Sequence, residues 1–261
     1  MSTATISKPS DTSHHCDVLV VGSGPCGVRF VQELIKRDPG ANVLLFGDEQ
    51  YRPYNRVQLS SLLANDLPRE AIDLELPTPD THPEFTYIAK RIVRIDTEQN
   101  IALDDQDNSY HYKKLVMATG ASAFIPNIPG AHRKGVYTFR NLKDTEHLVA
   151  RLARSRHIVV IGGGLLGLEA AKALQRLNTK ITVIQQGGRL MNRQLDDTAA
   201  KILQSKIEAL GIGVLTSDGV RAISYDNNAS LTGVTTHSGR DIECDTVLIC
   251  AGIQPNTALA R

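Results

Sequence analysis

Short apolar runs alternate with longer amphipathic stretches along this chain, a pattern typical of strands alternating with helices. Val18–Val21 and Ile158–Ile161 are β-branched runs that fit buried parallel strands. A glycine-rich turn follows each run, and after it come apolar residues at helical spacing. A second apolar run, Val43–Phe46 or Ile181–Ile184, closes each segment. The pattern therefore predicts two βαβ units, whose connections are expected to be right-handed.

The two segments also share finer features. The predicted helix faces are Val28, Val31, Leu34 and Ile35 in the first segment and Leu168, Ala171, Leu174 and Leu177 in the second. Later apolar strands end in the small-residue turns Ala118-Thr119-Gly120 and Ala251-Gly252. Elsewhere we predict a linker with one strand at Phe124–Phe139, a helix at Lys201–Leu210, and short strands over Val214–Thr246 with a turn at Asp226–Ser230. An internal repeat of this kind indicates two units built on one plan.

The composition narrows the class of protein. The 261 residues carry 29 Lys and Arg against 28 Asp and Glu, a formal charge of +1, which argues against nucleic-acid or anionic-membrane partners. The four cysteines, at positions 16, 26, 244 and 250, form no C-x-x-C pair and predict a reduced, cytoplasmic protein. The eight histidines are dispersed, so we expect no metal site.

Two segments bear on targeting. Residues 1–16 are rich in Ser and Thr and predict a disordered leader, with a Ser-rich transit peptide as the alternative. The longest apolar stretch, Ile158–Leu174, is interrupted by glycines, Glu169 and Lys172. Because a membrane span needs roughly 20 apolar residues, we expect no membrane partner.

Both predicted turns carry the pattern G-x-G-x-x-G, at Gly22–Gly27 and at Gly162–Gly167. The first glycine of such a motif permits a tight turn, the second lets the backbone approach a pyrophosphate, and the third lets the helix pack on the strand. The helix N-terminus presents N–H groups to the phosphates. Two motifs between strand and helix predict an α/β fold with two Rossmann-like nucleotide-binding domains, for FAD and NAD(P)H.

On these residues the sequence resembles the FAD- and pyridine-nucleotide-dependent reductases of the glutathione-reductase-like superfamily. The resemblance implies an NAD(P) domain inserted in an FAD domain, which we place at 136–261 and 17–135. FAD contacts are then implied for Gly22, Gly24, Pro25, Cys26, Gly27, Ile92, Ala118, Thr119 and Gly120. NAD(P)H contacts are implied for Gly162, Gly164, Leu165, Leu166, Gly167 and Gly252.

The segment Arg56–Ser61, with the sequence RVQLSS, narrows the resemblance. It is most similar to the flavin domain of NAD(P)H nitrite reductase large subunits, and this places Arg56 among the cofactor-binding residues. Rubredoxin and ferredoxin reductases more often have Arg-Pro-x-Leu-Ser-Lys, with the lysine near the flavin, and Ser61 takes that place here. A helix start capped by Ser60 is the alternative interpretation of this segment.

Several side chains carry predictions about the coenzymes. The resemblance implies that Glu169 orients the nicotinamide as the catalytic residue; the alternative is a solvated first-turn carboxylate favoured by the helix dipole. For the FAD ribose, Asp48 or Glu49 would accept the 2′-hydroxyl, unless both only solvate a loop. The corresponding position for NAD(P)H is Gln185, which is neither acidic nor basic. Arg189, shortly after it, could meet a 2′-phosphate; the alternative is an ordinary loop arginine. The choice between NADH and NADPH is therefore open.

The thiols bear on the route of the electrons. Dithiol reductases of the superfamily carry a C-x-x-x-x-C pair, which this chain lacks. Cys26 lies inside the phosphate loop, where we interpret it as a small residue tolerated beside a glycine. We therefore expect electrons to pass from NAD(P)H through FAD to a redox protein or a fused redox centre, as in nitrite reductases. A free-standing rubredoxin or ferredoxin reductase and a non-catalytic nucleotide-binding module are the alternatives.

The sequence stops at Arg261, where the superfamily's chain returns to complete the FAD domain. We therefore expect a fragment, a split gene product or a truncated record. The sequence leaves the oligomeric state open.

Overall fold

A computed structural model describes residues 14–176 and 178–261, which divide into two compact units. The first unit comprises the described chain up to Asn55 together with Asp73–Gly120 and Pro255–Arg261, and the second comprises Arg56–Ile72 and Ala121–Gln254. The second unit is thus inserted in the chain of the first, as predicted. The boundary that we predicted after residue 135 lies after Gly120, because the linker's apolar side chains pack in the core of the second unit.

A six-stranded sheet forms the core of the first unit. Its strands are β1 (His14–Val21), β2 (Val43–Phe46), β3 (Phe85–Ile88), β4 (Ile92–Asp96), β5 (Ile101–Asp104) and β6 (Ser109–Met117), and α1 (Pro25–Arg37) links β1 to β2. The order is β3-β2-β1-β6-β5-β4. The first four strands in this order are parallel, whereas β5 and β4 continue the sheet antiparallel.

Strand β1 is buried on both faces. Val18 and Val20 pack with the apolar face of α1, and Leu19 and Val21 pack in the layer on the other side of the sheet. Double burial explains why this strand is a continuous apolar run rather than an alternating one. The predicted helix face of α1 is confirmed, since it lies in the first of these layers.

Strand β1 also begins earlier than the sequence pattern indicated. His14 and His15 pair in parallel with Tyr110 and His111 of β6, and their rings stack on those partners with centroids 5.2 and 4.6 Å apart. Residues 14–16 therefore belong to a strand and not to the predicted leader. The rest of that leader lies outside the described residues.

The second unit contains a five-stranded parallel sheet. From one edge to the other, its strands are Gly213–Thr216, Lys180–Gln185, His157–Ile161, Thr246–Ile249 and Val136–Thr138. Its helices are α2 (Leu59–Ala64), α3 (Leu142–Leu152), α4 (Leu165–Ala173) and α5 (Asp197–Ala209). Its strands are β7 (Ala121–Ala123), β8 (Val136–Thr138), β9 (His157–Ile161), β10 (Lys180–Gln185), β11 (Gly213–Thr216), β12 (Val220–Tyr225), β13 (Leu231–Thr236), β14 (Asp241–Glu243), β15 (Thr246–Ile249) and β16 (Ile253–Pro255). Strands β12–β14 form an antiparallel meander, and β7 pairs with β16.

Helix boundaries in the second unit follow side-chain caps that the apolar pattern does not report. The predicted helix at Lys201–Leu210 is α5, which begins at Asp197 because Asp196 accepts the N–H of Ala199. Helix α3, which we did not predict, is capped by Asn141 in the same way. The predicted face of α4 is buried as far as Leu174, and Leu177 lies outside the described residues.

Helix α2 corrects the alternative interpretation of the RVQLSS segment. The helix begins at Leu59, and the residue before it, Gln58, makes no side-chain cap. Ser60 is therefore inside the helix and does not cap it. Leu59 and Leu63 are buried where α2 packs against α3 and α4.

No helix formed by residues 14–176 or 178–261 combines the length and the apolar character that a membrane crossing requires. Over the same described ranges, no three His, Cys, Asp or Glu side chains gather as a metal site.

Asp104 should be a main source of pH-dependent stability in the first unit. Its fully buried carboxylate accepts the side-chain and main-chain N–H groups of Asn108 and the hydroxyl of Tyr110, and it pairs with Lys90 at 3.0 Å. Burial by itself raises the pKa of Asp104, but the hydrogen bonds and the ammonium outweigh it and hold that pKa well below its usual range. We expect Asp104→Asn to lower the free energy of unfolding by about 2–4 kcal/mol at pH 7.

Chemical denaturation as a function of pH measures the stabilisation that the Asp104 carboxylate provides. Because folding lowers the pKa, the stabilisation is present above the unfolded value of about 3.9 and is lost as the pH falls below it. The difference between wild type and variant should therefore shrink below about pH 4. Asp105→Asn, at the exposed neighbouring position, is the control. A variant as stable as wild type at pH 7 would contradict the assignment.

Candidate functional site

The first glycine turn joins β1 to α1 in the first unit. Gly22 has a φ of +114°, and a Cβ at this residue would lie 2.1 Å from the carbonyl oxygen of Ala118. A Cβ on Gly27 would lie 1.8 Å from the carbonyl oxygen of Gly22. Both positions therefore require glycine, and the close contacts bring α1 against the sheet. Gly24 precedes the helix in an extended conformation, and Pro25 is its first residue.

The second glycine turn repeats this geometry in the second unit. Gly162 has a φ of +115°, and its Cβ would lie 2.3 Å from the carbonyl oxygen of Cys250. A Cβ on Gly167 would lie 2.0 Å from the carbonyl oxygen of Gly162. A Cβ on Gly164, by contrast, would meet no protein atom within 4 Å. The fold itself thus explains the outer glycines, whereas the middle one leaves space that a ligand can enter.

The two helices that follow the glycine turns differ from the other long helices. Neither α1 nor α4 has a side-chain cap or an acidic residue in its first turn. Helices α3 and α5 have both. The first N–H groups of α1 and α4, and the positive end of each helix dipole, are therefore available to an anion. The uncapped helices and the open space at Gly164 fit the pyrophosphate of a dinucleotide.

The Ala118-Thr119-Gly120 turn lies beside the first glycine turn and is held by Asn256. The N–H of Ala118 donates to Val21, the last residue of β1, at 2.7 Å. Thr119 donates its hydroxyl to the carbonyl of Asn256 at 2.8 Å, and the Asn256 side chain donates back to the carbonyl of Thr119 at 2.8 Å. The N–H of Asn256 also donates to Gly120. Sequence reasoning did not assign this role to Asn256, because the two partners are far apart in the chain.

The end of β2 offers carboxylates for a ribose. A Cβ on Gly47 would lie 2.2 Å from the hydroxyl oxygen of Ser23, so the hydroxyl occupies the place of an acidic side chain. Of the two predicted acceptors, Glu49 already receives the hydroxyl of Tyr54 at 2.7 Å, whereas Asp48 is exposed. Asp48 is therefore the more exposed of the two carboxylates.

The corresponding position in the second unit, Gln185, is tied to the glycine turn. Its Oε1 accepts the N–H of Gly163 at 2.7 Å, and the carbonyl of Gly163 accepts the N–H of Met191 at 2.8 Å. Arg189, considered as a partner for a 2′-phosphate, pairs with Asp197 at 3.0 Å and donates to a carbonyl of its own loop. The segment after β10 thus fixes the turn by contacts within the protein.

The remaining predicted residues are distributed over both units. In the first unit, Ile92 opens β4 and is buried in the layer opposite α1. In the second unit, Arg56 donates to the carbonyl of Arg140 at 3.4 Å, and Gly252 has a φ of +119°. Leu165, Leu166 and Glu169 are exposed on α4. Glu169 is the fifth residue of that helix, beyond its first turn, and accepts the hydroxyl of Ser60.

Comparison with known proteins identifies the family. Residues 16–261 match the family model described as pyridine nucleotide-disulphide oxidoreductase. The chain belongs to the pyridine nucleotide-disulphide oxidoreductase family. This confirms the predicted superfamily and, with one parallel and one largely parallel sheet, the predicted α/β fold.

The chain resembles both curated and solved reductases. It is 37% identical over 246 residues to nitrite reductase [NAD(P)H] of Bacillus subtilis strain 168, covering 93% of this chain and 30% of that protein. It is 35% identical to the assimilatory nitrate reductase electron transfer subunit of the same organism, and the match covers 93% of this chain and 32% of that protein. The crystal structure of the ferredoxin reductase for the CYP199A2 system of Rhodopseudomonas palustris superposes with a TM-score of 0.87 at 26% identity. The superposition covers 94% of this chain and 60% of that one. The chain spans about a third of the length of the two curated relatives.

The four cysteines of the chain, all within the described residues, are free. Burial, with nearby carboxylates, raises the pKa of Cys16 to about 11 and the pKa values of Cys244 and Cys250 to about 12. These three thiols are therefore protonated and poorly nucleophilic at neutral pH. Cys26 is exposed at the start of α1 and has no cysteine partner.

A pair of glycine substitutions separates the structural glycines from the ligand-facing one. Gly164→Ala should change the free energy of unfolding by less than about 1 kcal/mol, because its Cβ meets no protein atom. Gly167→Ala should cost at least about 2 kcal/mol, because its Cβ meets a backbone carbonyl. Thermal unfolding measures both stability changes. Calorimetric titration with NAD⁺ should show that the stable Gly164→Ala variant binds the coenzyme more weakly than the wild type does. Equal stability loss in both variants would contradict this distinction.

Proposed function

We propose that this chain is the FAD- and NAD(P)H-binding part of an electron-transfer reductase that delivers electrons to a redox protein or a fused redox centre. One observation carries the proposal: two glycine turns of the same geometry, each followed by an uncapped helix, occur in two units of one chain. The names of the similar B. subtilis proteins, a nitrite reductase and an electron transfer subunit, support the same function.

The first unit is proposed to hold FAD and the second NAD(P)H. The N–H groups at the start of α1 would hold the FAD pyrophosphate, with Asp48 available for the ribose. The turn at Gly162–Gly167 would hold the coenzyme pyrophosphate, and the exposed Leu165 and Leu166 would cover part of its apolar surface. FAD held there would supply the redox chemistry, because a flavin can take up two electrons from a reduced nicotinamide and release them singly. The chain binds and orients both groups, and we propose that Glu169 orients the nicotinamide.

The electron acceptor distinguishes two related functions. The similarity to nitrite reductase favours a redox centre in the same protein or complex, whereas the solved ferredoxin reductase favours a separate redox protein. We also propose a cytoplasmic location, because the four thiols are free.

The choice of acceptor tests this function directly. The FAD-loaded chain should oxidise NAD(P)H with ferricyanide as acceptor, because the flavin can pass electrons to it without a thiol. It should reduce neither oxidised glutathione nor lipoamide, because the chain lacks the C-x-x-x-x-C pair of the dithiol reductases. The loss of NAD(P)H absorbance measures the rate of each reaction. Disulfide reduction would contradict the proposed route, and a chain that takes up neither FAD nor NAD⁺ would favour a different function altogether.

Gln185→Glu tests the coenzyme site. The glutamate can still accept the N–H of Gly163, so the turn is preserved, but it adds a charge that repels a 2′-phosphate and accepts a ribose hydroxyl. Affinity for NADP⁺ relative to NAD⁺ should fall about tenfold, or about 1.4 kcal/mol. Gln185→Met, which removes the acceptor, should weaken both coenzymes alike. A wild-type preference above about a thousandfold, near 4 kcal/mol, would contradict the modest discrimination that a neutral side chain implies.

A further inference from the structure

One hydrogen bond joins α2 to α4 within the second unit. The hydroxyl of Ser60 donates to Oε2 of Glu169 at 3.0 Å, although the two residues are 109 positions apart in the chain. Helix α2 is held in place by other contacts as well. Leu59 and Leu63 are buried, and the guanidinium of Arg176 lies 3.4 Å from the carbonyl oxygen of Leu63. The location of the Ser60 hydroxyl is thus fixed by helix packing and not by this one bond.

Glu169 lies on the exposed side of α4, at the middle of the helix that follows the glycine turn. It follows the exposed Leu165 by four residues, so the two side chains share one face of the helix. The bond from Ser60 engages one carboxylate oxygen and restricts rotation of the group, and Oε1 remains an acceptor. An acceptor of fixed orientation beside an uncapped helix is suited to an N–H donor on a ligand held by that helix.

We propose that Ser60 is a positioning residue of the coenzyme site, whose hydroxyl orients Glu169 to accept the carboxamide N–H of the nicotinamide. This inference rests on the proposed function. Ser60 acts through Glu169 and does not itself contact the coenzyme. Because the carboxylate is exposed, water screens part of the interaction, and the effect of removing the hydroxyl is moderate.

Calorimetric titration of the full chain with NAD⁺ and with ADP-ribose tests the proposal. ADP-ribose has the same pyrophosphate but no nicotinamide, so the ratio of the two affinities reports the nicotinamide contact alone. Ser60→Ala should weaken NAD⁺ binding roughly three- to tenfold and leave ADP-ribose binding within about twofold. Ser60→Thr keeps the hydroxyl and should restore the wild-type ratio. In a Glu169→Ala background, Ser60→Ala should cause no further loss.

The matched control is Ser205→Ala, which removes a helical serine hydroxyl from α5 in the same unit. It should bind both ligands as the wild type does. If Ser60→Ala weakens both ligands equally, or neither, the bond only attaches α2 to α4 and the proposal is wrong. If the wild-type chain binds both ligands equally well, the nicotinamide contact is absent and this proposal alone fails. If it binds neither ligand, the proposed function fails as well.

Discussion

Contact between a glycine Cα and a backbone carbonyl determines the structure around both candidate sites. The third glycine of each motif lies where a Cβ would be 1.8 or 2.0 Å from the first glycine's carbonyl oxygen. The first glycine in turn lies against the carbonyl of Ala118 or Cys250, at the end of a neighbouring strand. Only residues without a side chain permit this approach, so each helix begins against the end of its sheet. The uncapped N–H groups of α1 and α4 are positioned by that approach.

The same constraint applies to both units, although the side chains around their glycine turns differ. The two turns share backbone geometry and differ in the side chains that meet them, Ser23 beside Gly47 in the first unit and Gln185 beside Gly163 in the second. In each pair, one position carries a side chain and the other is glycine, because there is no room for two. The backbone geometry is therefore the same in both units, and we propose that the side chains around it decide which dinucleotide fits.

Much of the fold was predictable from sequence, because the interactions that build it are local. The β-branched runs, the glycine turns and the helix faces follow from spacing within a few residues, and β2 has the predicted bounds. The start of β1 at His14 was not predictable, because it depends on pairing with Tyr110 and His111 of β6. Helix α2 packs with the second unit although its chain neighbours belong to the first, and no periodicity reports such a long-range choice. For the same reason, sequence reasoning missed the hydrogen bond between Gly163 and Gln185 and the two hydrogen bonds between Thr119 and Asn256.

We propose that one chain holds two different dinucleotides in two equivalent turns. Native mass spectrometry of the purified chain, titrated with FAD and NAD⁺ separately and together, measures this most directly. We expect a complex that carries one FAD and one NAD⁺ at the same time, with neither ligand displacing the other. Competition of the two ligands for a single place, or binding of only one of them under all conditions, would contradict it.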